Sequence, residues 1–379
     1  MWIAAVTLGA LVLVAGVLPV HSALQVTGQV APVLVFLVAI TVVAELADAA
    51  QVFDVAAAWA ARLGRGSARR LFAWIVLLAV ITTVVLSLDT TAVLFTPVVL
   101  AMAGQLDLDP LPYALVTVWL ANAASLLLPV SNLTNLLAIG HLRLSALGFA
   151  ARMALPELAA VSVTVLVVGL AYRRSLAARY RPAAGPVVRD RVLFGLSAAV
   201  CSAMAPLFVA GVPVQWPALA GAVVLAVAFA WRDPSRLRWG LLPWRLVLLV
   251  GGLFLAITAA GPHGLDSALG NAAGHDSSAL AVLRTAGVAA AGSNAVNNLP
   301  AYLAMQRVAG GNREQLLGVL LGSNGGPMIA LWGSLATLLW RQRCEARGVH
   351  IGAWQFARLG LVGVPVLIVA TWAALLVTA

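Results

Sequence analysis

The chain has 379 residues, of which 62% are hydrophobic and 9% are charged. Soluble globular chains carry about 25% charged residues. Lipid must therefore cover most of this protein, and at roughly 20 residues per helical span it has room for about ten crossings. All 23 basic residues are arginine. This excludes a Walker A phosphate loop and a pyridoxal Schiff base, because both need a lysine.

The net charge of +10 reflects where the arginines lie. They flank apolar segments and form no single polar face, so they predict membrane orientation and no nucleic-acid partner. The positive-inside rule places four arginine-rich stretches in the cytoplasm: 62–70, 173–191, 232–245 and 341–358. The connections without arginine, around 21–29, 211–213 and 261–278, are predicted to be external. We therefore expect a multi-pass cell-membrane protein with a cytoplasmic N-terminus and an external C-terminus.

Alternation between the two sides predicts nine spans: 2–20, 30–47, 113–140, 154–172, 192–210, 214–231, 245–260, 315–340 and 356–378. The first lacks a basic N-terminal region and a convincing small-x-small cleavage site, so it is taken as a span and not as a cleaved signal peptide. For successive spans to alternate in direction, 68–105 must enter and leave on the cytoplasmic side. For the same reason, 278–309 must enter and leave on the external side. Both are predicted to be re-entrant hairpins with polar tips, at 87–91 and 293–298. The expected fold class is an all-α polytopic membrane protein.

The order of these segments repeats along the chain. Each half has a span, an amphipathic linker, a hairpin, a broken helix and a closing span. We predict a first inverted repeat at 1–172, a cytoplasmic linker at 173–191 and a second repeat at 192–379. The hairpins open to opposite faces, so the axis relating the halves lies in the membrane plane. The span 192–210 has no first-half counterpart: either the first half lacks its opening helix, or the sequence begins inside a longer chain.

Polar residues and a proline interrupt one span in each half. The Ser-Asn pairs are Ser131-Asn132 and Ser323-Asn324. An unpaired backbone amide costs several kcal/mol in hydrocarbon, so such breaks persist only where they are buried in protein or line a cavity. One break in each half indicates the binding site of a secondary transporter near the midplane.

Asp89, at the first hairpin tip, is the only carboxylate predicted to lie far from both membrane interfaces. A carboxylate there is costly unless it is paired or protonated, and it marks an ion or proton pathway by default. We expect Asp89 to couple outward movement of substrate to inward movement of protons. The alternative is that Asp89 only caps the second hairpin arm. Asn297-Asn298 at the other tip cannot titrate.

Only two cysteines occur, Cys201 and Cys344, so neither a disulfide framework nor a zinc site is indicated. No metal site and no cofactor are predicted. The spans contain no convergent nucleophile and base, so an enzyme is not expected.

Four strings resemble the arsenical pump membrane proteins, the arsenite and antimonite efflux carriers of the ion transporter superfamily. They are LDTTAVLFTPVVLAM (88–102), NAASLLLPVSNLTNLLA (122–138), SNAVNNLPAYLAM (293–305) and GSNGGPMIALWGSLATLLW (322–340). The resemblance runs from about residue 30 to the C-terminus. It implies an elevator-type carrier, in which the hairpins and broken helices slide against a scaffold of the other spans.

The tips and breaks supply the predicted substrate site. Half-helix ends offer free N–H and C=O groups, and the side chains add neutral amides and hydroxyls. Such groups suit As(OH)3 and Sb(OH)3, which are uncharged and present only hydroxyls. The predicted substrate-binding residues are Thr90, Thr91, Asn122, Ser125, Ser131, Asn132, Thr134, Asn135, Ser293, Asn294, Asn297, Asn298, Ser323 and Asn324. The alternative is that they only cap broken helices.

The sequence thus predicts a secondary transporter that exports trivalent metalloid hydroxides in exchange for protons. A sodium-coupled anion symporter or a sodium/proton antiporter of the same superfamily is the alternative, because such relatives coordinate sodium with similar oxygens. A non-transporting membrane protein is a third, less favoured interpretation. Besides the small inorganic substrate and the lipid bilayer, a soluble ATPase subunit and a homodimer are left open as partners.

Overall fold

The computed structural model describes residues 6–9, 11, 20–181, 187–274, 276 and 278–378. Within these residues the regular structure is helical, apart from one isolated antiparallel bridge between Ser67 and Arg179. Eight of the described helices are long and apolar enough to cross a membrane. The chain is therefore a polytopic helical membrane protein. Most of the predicted span 2–20 and part of the linker 173–191 lie outside the described residues.

The described first half begins with a long helix that contains the predicted span 30–47. Its helices are α1 (Val20–Ala49), α2 (Val52–Leu63), α3 (Ala68–Val85), α4 (Leu88–Gln105), α5 (Leu111–Ala123), α6 (Leu133–Leu142) and α7 (Ala146–Ala171). The second turn of α4, Thr91–Phe95, is π-helical. Such wide turns occur frequently at functional sites. The predicted broken span 113–140 corresponds to α5 and α6 with the irregular segment between them.

The second half repeats this order after a pair of helices. They are α8 (Arg191–Val209) and α9 (Gln215–Arg232), followed by α10 (Trp244–Ala260), α11 (Leu265–Ala273), α12 (Ala279–Val296), α13 (Asn298–Ala309), α14 (Arg313–Gly325), α15 (Leu335–Glu345) and α16 (Ala353–Val377). The order from α10 to α16 matches the order from α1 to α7. An inverted repeat requires this order, although the repeat and its boundaries stay predictions.

The first predicted tip is the place where α3 ends and α4 begins. Ser87 has a φ of 137°, which is rare for a residue with a side chain. The chain reverses here, because Thr83 Oγ1 lies 2.8 Å from Thr91 Oγ1 on the following helix. Ser87 also caps α4, its Oγ accepting from the backbone N–H of Thr90. Asp89 is therefore not the N-cap of the second arm, and the capping alternative for it is wrong.

The second tip has the same design with different residues. Asn297, between α12 and α13, has a φ of 100°, and its side chain accepts from the N–H of Leu299. The chain reverses here as well, since a Cβ at Gly292 would lie 3.3 Å from the Cβ of Ala301. Entry of the two hairpins from opposite faces stays a prediction.

Helices α12 and α14 approach each other closely through small residues. A Cβ at Gly318 would lie 2.7 Å from the carbonyl oxygen of Val282, and one at Gly322 would overlap that of Ala286. Small residues allow such close backbone packing between membrane helices. This contact fixes the second hairpin against the helix that leads into the second break.

We expect Gly322→Ala to lower stability strongly, because the clash is with backbone and not with a movable side chain. Overpacking of this kind costs roughly 1–3 kcal/mol, occasionally more. Gly287→Ala on α12 is the matched control, since a Cβ there meets nothing within 4 Å. Thermal unfolding of the purified variants in detergent measures the difference. Equal midpoints for the two variants would contradict the close packing.

Candidate functional site

The two broken helices cross at Asn324, which lies at the end of α14 against the first turn of α6. Asn324 Oδ1 accepts from Asn132 Nδ2 at 3.1 Å and from Thr134 Oγ1 at 2.7 Å. Its Nδ2 donates to Asn135 Oδ1 at 2.7 Å. Ser323 adds a longer bond to the same Oδ1 at 3.3 Å. All five residues are buried, so this crossing is a polar network inside an apolar protein.

A related contact joins the other two half-helices. Asn122, at the end of α5, donates from Nδ2 to Thr337 Oγ1 at 3.3 Å, in the first turn of α15. Asn122 and Asn324 are each the residue before the last in their helices. Ser334 caps α15 as Asn132 caps α6. Each half therefore extends an asparagine to the start of the other half's second half-helix.

The segment between α5 and α6 is held by its own polar side chains. Asn135 Nδ2 donates to the carbonyl oxygens of Ser125 at 2.6 Å and Leu128 at 3.0 Å. Ser125 Oγ accepts from Asn132 Nδ2 at 3.1 Å. Ser131 Oγ donates to the carbonyl oxygen of Val84, at the end of α3, at 2.9 Å. The last bond ties the first break to the first hairpin.

The second hairpin is tied to the second break mainly by Asn294. Its Nδ2 donates to the carbonyl oxygen of Gly326 at 2.8 Å, and its Oδ1 accepts from the N–H groups of Ile329 and Ala330. Two further bonds run from Asn297 Nδ2 to Trp332 O and from Asn298 N to Gly333 O. Ser293, in contrast, bonds only to Ala289 in its own helix, as far as the described residues show. Asn294 and Asn297 therefore satisfy backbone groups that the break would leave unpaired.

Asp89 lies in the wall of two cavities. One, of about 380 Å³, is also lined by Glu45, Thr90 and Arg245. The other, of about 30 Å³, is lined by Asp89 together with Asn132, Thr134 and Asn298. Asp89 thus stands between a larger cavity and the start of α6. Its side chain makes no hydrogen bond and no ion pair within the described part of the chain.

The predicted site residues therefore fall into three groups. The network at the crossing contains Asn122, Ser125, Asn132, Thr134, Asn135, Ser323 and Asn324. The cavities are lined by Asp89, Thr90, Asn132, Thr134 and Asn298. The remaining residues, Thr91, Ser131, Ser293, Asn294 and Asn297, bond to backbone groups or within their own hairpin. The cavity group therefore combines Asp89 with two members of the network, Asn132 and Thr134.

Sequence reasoning missed Glu157, which is only 5% exposed in the middle of α7. Its Oε2 accepts from the backbone N–H of Leu126 at 2.9 Å. Asp89 is therefore not the only carboxylate far from the interfaces. The predicted span began at residue 154 and placed Glu157 in its first turn. The available signal was Ser145, which caps α7 by accepting from Gly148 N and starts the helix earlier.

A buried network of amides and hydroxyls where two broken helices cross, beside a cavity with a carboxylate in its wall, is the architecture of a membrane transporter and not of an enzyme. The family model of CitMHS, described as a citrate transporter, matches residues 1–315. The arsenical pump membrane protein of Yersinia enterocolitica is 30% identical, over 97% of this chain and 91% of that relative. The chain therefore belongs to the CitMHS transporter family and is a member of the arsenical pump membrane protein family.

Two further similarities agree with this assignment. The arsenical pump membrane protein of Escherichia coli strain K12 is 29% identical, over 89% of this chain and 84% of that relative. The crystal structure of the Alcanivorax borkumensis YdaH transporter superposes with a TM-score of 0.59 at 15% identity, covering 94% of this chain and 87% of that chain. At this identity the structural likeness shows the fold alone.

Proposed function

We propose that this protein exports the uncharged hydroxides of trivalent arsenic and antimony in exchange for protons. The observation that carries the proposal is the combination of an uncharged network with the carboxylate of Asp89 next to it. The crossing offers only amides and hydroxyls, which can exchange hydrogen bonds with a neutral trihydroxide. Asp89 beside it supplies a group that can bind a proton. The named arsenical pump relatives support the choice of substrate.

The 380 Å³ cavity is the proposed route to the cytoplasm. It is lined by Arg245 and Gln342, which belong to arginine-rich stretches predicted to be cytoplasmic. At its inner end it reaches Ser87, Asp89 and Thr90 at the first tip. We therefore propose that this state is open to the inside and that the substrate binds near Asp89, Thr134 and Asn298.

An elevator movement is the proposed mechanism. The bonds of Ser131 to Val84 and of Asn294 to Gly326 join each hairpin to the break of its own half. The contacts through Asn324 then join the two breaks. Hairpins and broken helices are thereby linked into one unit that could move as a body against the remaining spans.

Arsenite and antimonite accumulation in everted membrane vesicles tests this function, with an imposed proton gradient and with and without sodium. We expect accumulation that follows the gradient and is independent of sodium. Sodium-dependent flux of an anion or of protons, without metalloid movement, would favour the sodium-coupled alternative and overturn the proposal. The network contains no arginine for an anion, which favours the neutral substrate.

We expect the double variant Cys201→Ser, Cys344→Ser to transport at near the wild-type rate. Trivalent arsenic binds thiolates tightly, but the two cysteines lie on α8 and α15. In the described residues no three metal-binding side chains are grouped around either of them. Oxygen and amide contacts bind weakly enough to release the substrate. The arsenite uptake rate, normalised to the amount of protein, measures this, and loss of transport would refute an oxygen-based site.

A further inference from the structure

Glu157 is a buried carboxyl group in a position that a membrane helix normally gives to an apolar residue. It follows Ala146, the first residue of α7, by eleven residues and precedes Ala171, the last, by fourteen. At about 1.5 Å per residue, it lies roughly 16 Å and 21 Å from the two ends of the helix. It is therefore deep in the predicted hydrocarbon region, where an ionised carboxylate is costly unless it is paired.

Within the described part of the chain, no positively charged side chain pairs with this carboxyl group. The ionisable side chains on the elements packed against α7 are Tyr113 on α5, Arg191 and Cys201 on α8, and Arg358 on α16. None of them bonds to Glu157 in the described residues. Arg152, on α7 itself, pairs with Glu314 at 2.7 Å. An isolated buried carboxylate usually neutralises itself by binding a proton.

The two oxygens of Glu157 have different surroundings. Oε2 accepts from the N–H of Leu126, and the backbone N–H of Leu127 also lies beside the carboxyl group, whereas Oε1 is buried without a hydrogen-bond partner among the described residues. Three more buried polar side-chain atoms without a partner lie on α7 and on α5, which packs against it: Thr164 Oγ1, Asn122 Oδ1 and Trp119 Nε1. Buried polar groups are nearly always paired, so each exception needs an explanation. Here Oε1 is the atom that is free to take a proton.

The second half shows that the fold itself does not need this carboxyl group. Met328 corresponds to Leu126: it follows Asn324 by four residues, as Leu126 follows Asn122. Its N–H donates to the carbonyl oxygen of Gly326 at 2.7 Å. On α16, the counterpart of α7, Gly360 packs directly on this backbone, since a Cβ there would overlap the carbonyl oxygen of Met328. At this position the second break is thus held by a backbone bond and packed by a glycine, whereas the first is held by a group that can titrate.

We propose that Glu157 is a second proton-binding site of this carrier, which takes up and releases one proton at Oε1 in each transport cycle. The proposal rests on the proposed proton exchange and extends it to two carboxyl groups. Oε1 forms an O–H bond on uptake and loses it on release, with no other bond changed. Through Leu126, the charge of Glu157 acts on the segment that positions Asn132 and Asn135.

The test compares Glu157→Gln with the wild type in proteoliposomes with the membrane potential clamped at zero. The amide oxygen of Gln can still accept from Leu126 N but cannot bind a proton. One pH unit is worth about a factor of ten in accumulation for each proton exchanged. We expect the limiting arsenite accumulation at one unit of gradient to fall about tenfold in E157Q. Arsenite counterflow, which needs no gradient, should persist.

Glu157→Ala separates a structural role from proton binding, because it also removes the bond to Leu126. If Glu157 only positions the break, E157Q will accumulate arsenite as the wild type does and E157A will lose counterflow. That result would overturn the proposal.

A second measurement does not depend on the substrate. Infrared difference spectra of the purified protein, recorded as a function of pH, should show a carboxylic C=O band that E157Q lacks and Asp89→Asn retains. If the wild type moves no arsenite, the proposed function fails, and this band still decides whether Glu157 binds a proton. Absence of such a band would overturn the inference.

Discussion

Asp89→Asn is expected to lower the limiting accumulation of arsenite at least tenfold for one unit of proton gradient. The amide has nearly the same shape as the carboxyl group, so the wall of the two cavities is preserved. It cannot bind a proton, and each proton lost from the exchange removes about a factor of ten per pH unit. Transport assays in vesicles with a clamped membrane potential measure the effect.

The matched control for this variant is Asp107→Asn. Asp107 is exposed after the end of α4 and has a φ of 51°, a conformation that Asn adopts readily. The control should accumulate arsenite as the wild type does. If D89N accumulates arsenite to the wild-type level at equal expression, Asp89 has no part in the coupling. Retained counterflow in D89N would show that its substrate site is intact.

Asn324→Ala is expected to abolish arsenite counterflow as well as accumulation. The change leaves Asn132, Thr134 and Asn135 without the partner that joins the two halves. Each buried group left unpaired costs about 1–3 kcal/mol. We expect the broken helices to move apart and relieve part of this cost, which dismantles the proposed substrate site.

Thr285→Ala is the control for this prediction. Thr285 is equally buried on α12, which packs against α14, but its Oγ1 makes no hydrogen bond within the described residues. We expect near wild-type counterflow from T285A. Size-exclusion profiles of both variants in detergent show whether folding is preserved. Wild-type transport by a folded N324A protein would be inconsistent with a central role for the crossing.

Much of the fold was predictable because hydropathy and polar interruptions are local signals. The predicted hairpin at 278–309 corresponds to α12 and α13, and the predicted tips contain Ser87 and Asn297, which both have a positive φ. The predicted start at residue 154 lies eight residues after the first residue of α7, because arginines and apolar runs do not mark the cap at Ser145. That error removed Glu157 from the candidate residues.

The roles of the individual asparagines were not predictable from the sequence. Asn135 and Asn324 are 189 residues apart, and nothing local indicates that they form a pair. Asn294 lies in a polar stretch of the sequence, where a substrate ligand was predicted. Its side chain instead bonds to backbone groups of the second break. Such assignments depend on which backbone groups remain unpaired after the helices pack, and this is a property of the tertiary structure.

The two hairpins are fastened unequally, and this has a consequence for how a transport cycle could be gated. The second is held to its break through Asn294, Asn297 and Asn298, whereas among the described residues the first is held by Ser131 alone. A tip with fewer bonds opens at lower cost. The first hairpin would then be the gate that opens to whichever side the moving unit faces. The second hairpin would stay fixed to its break.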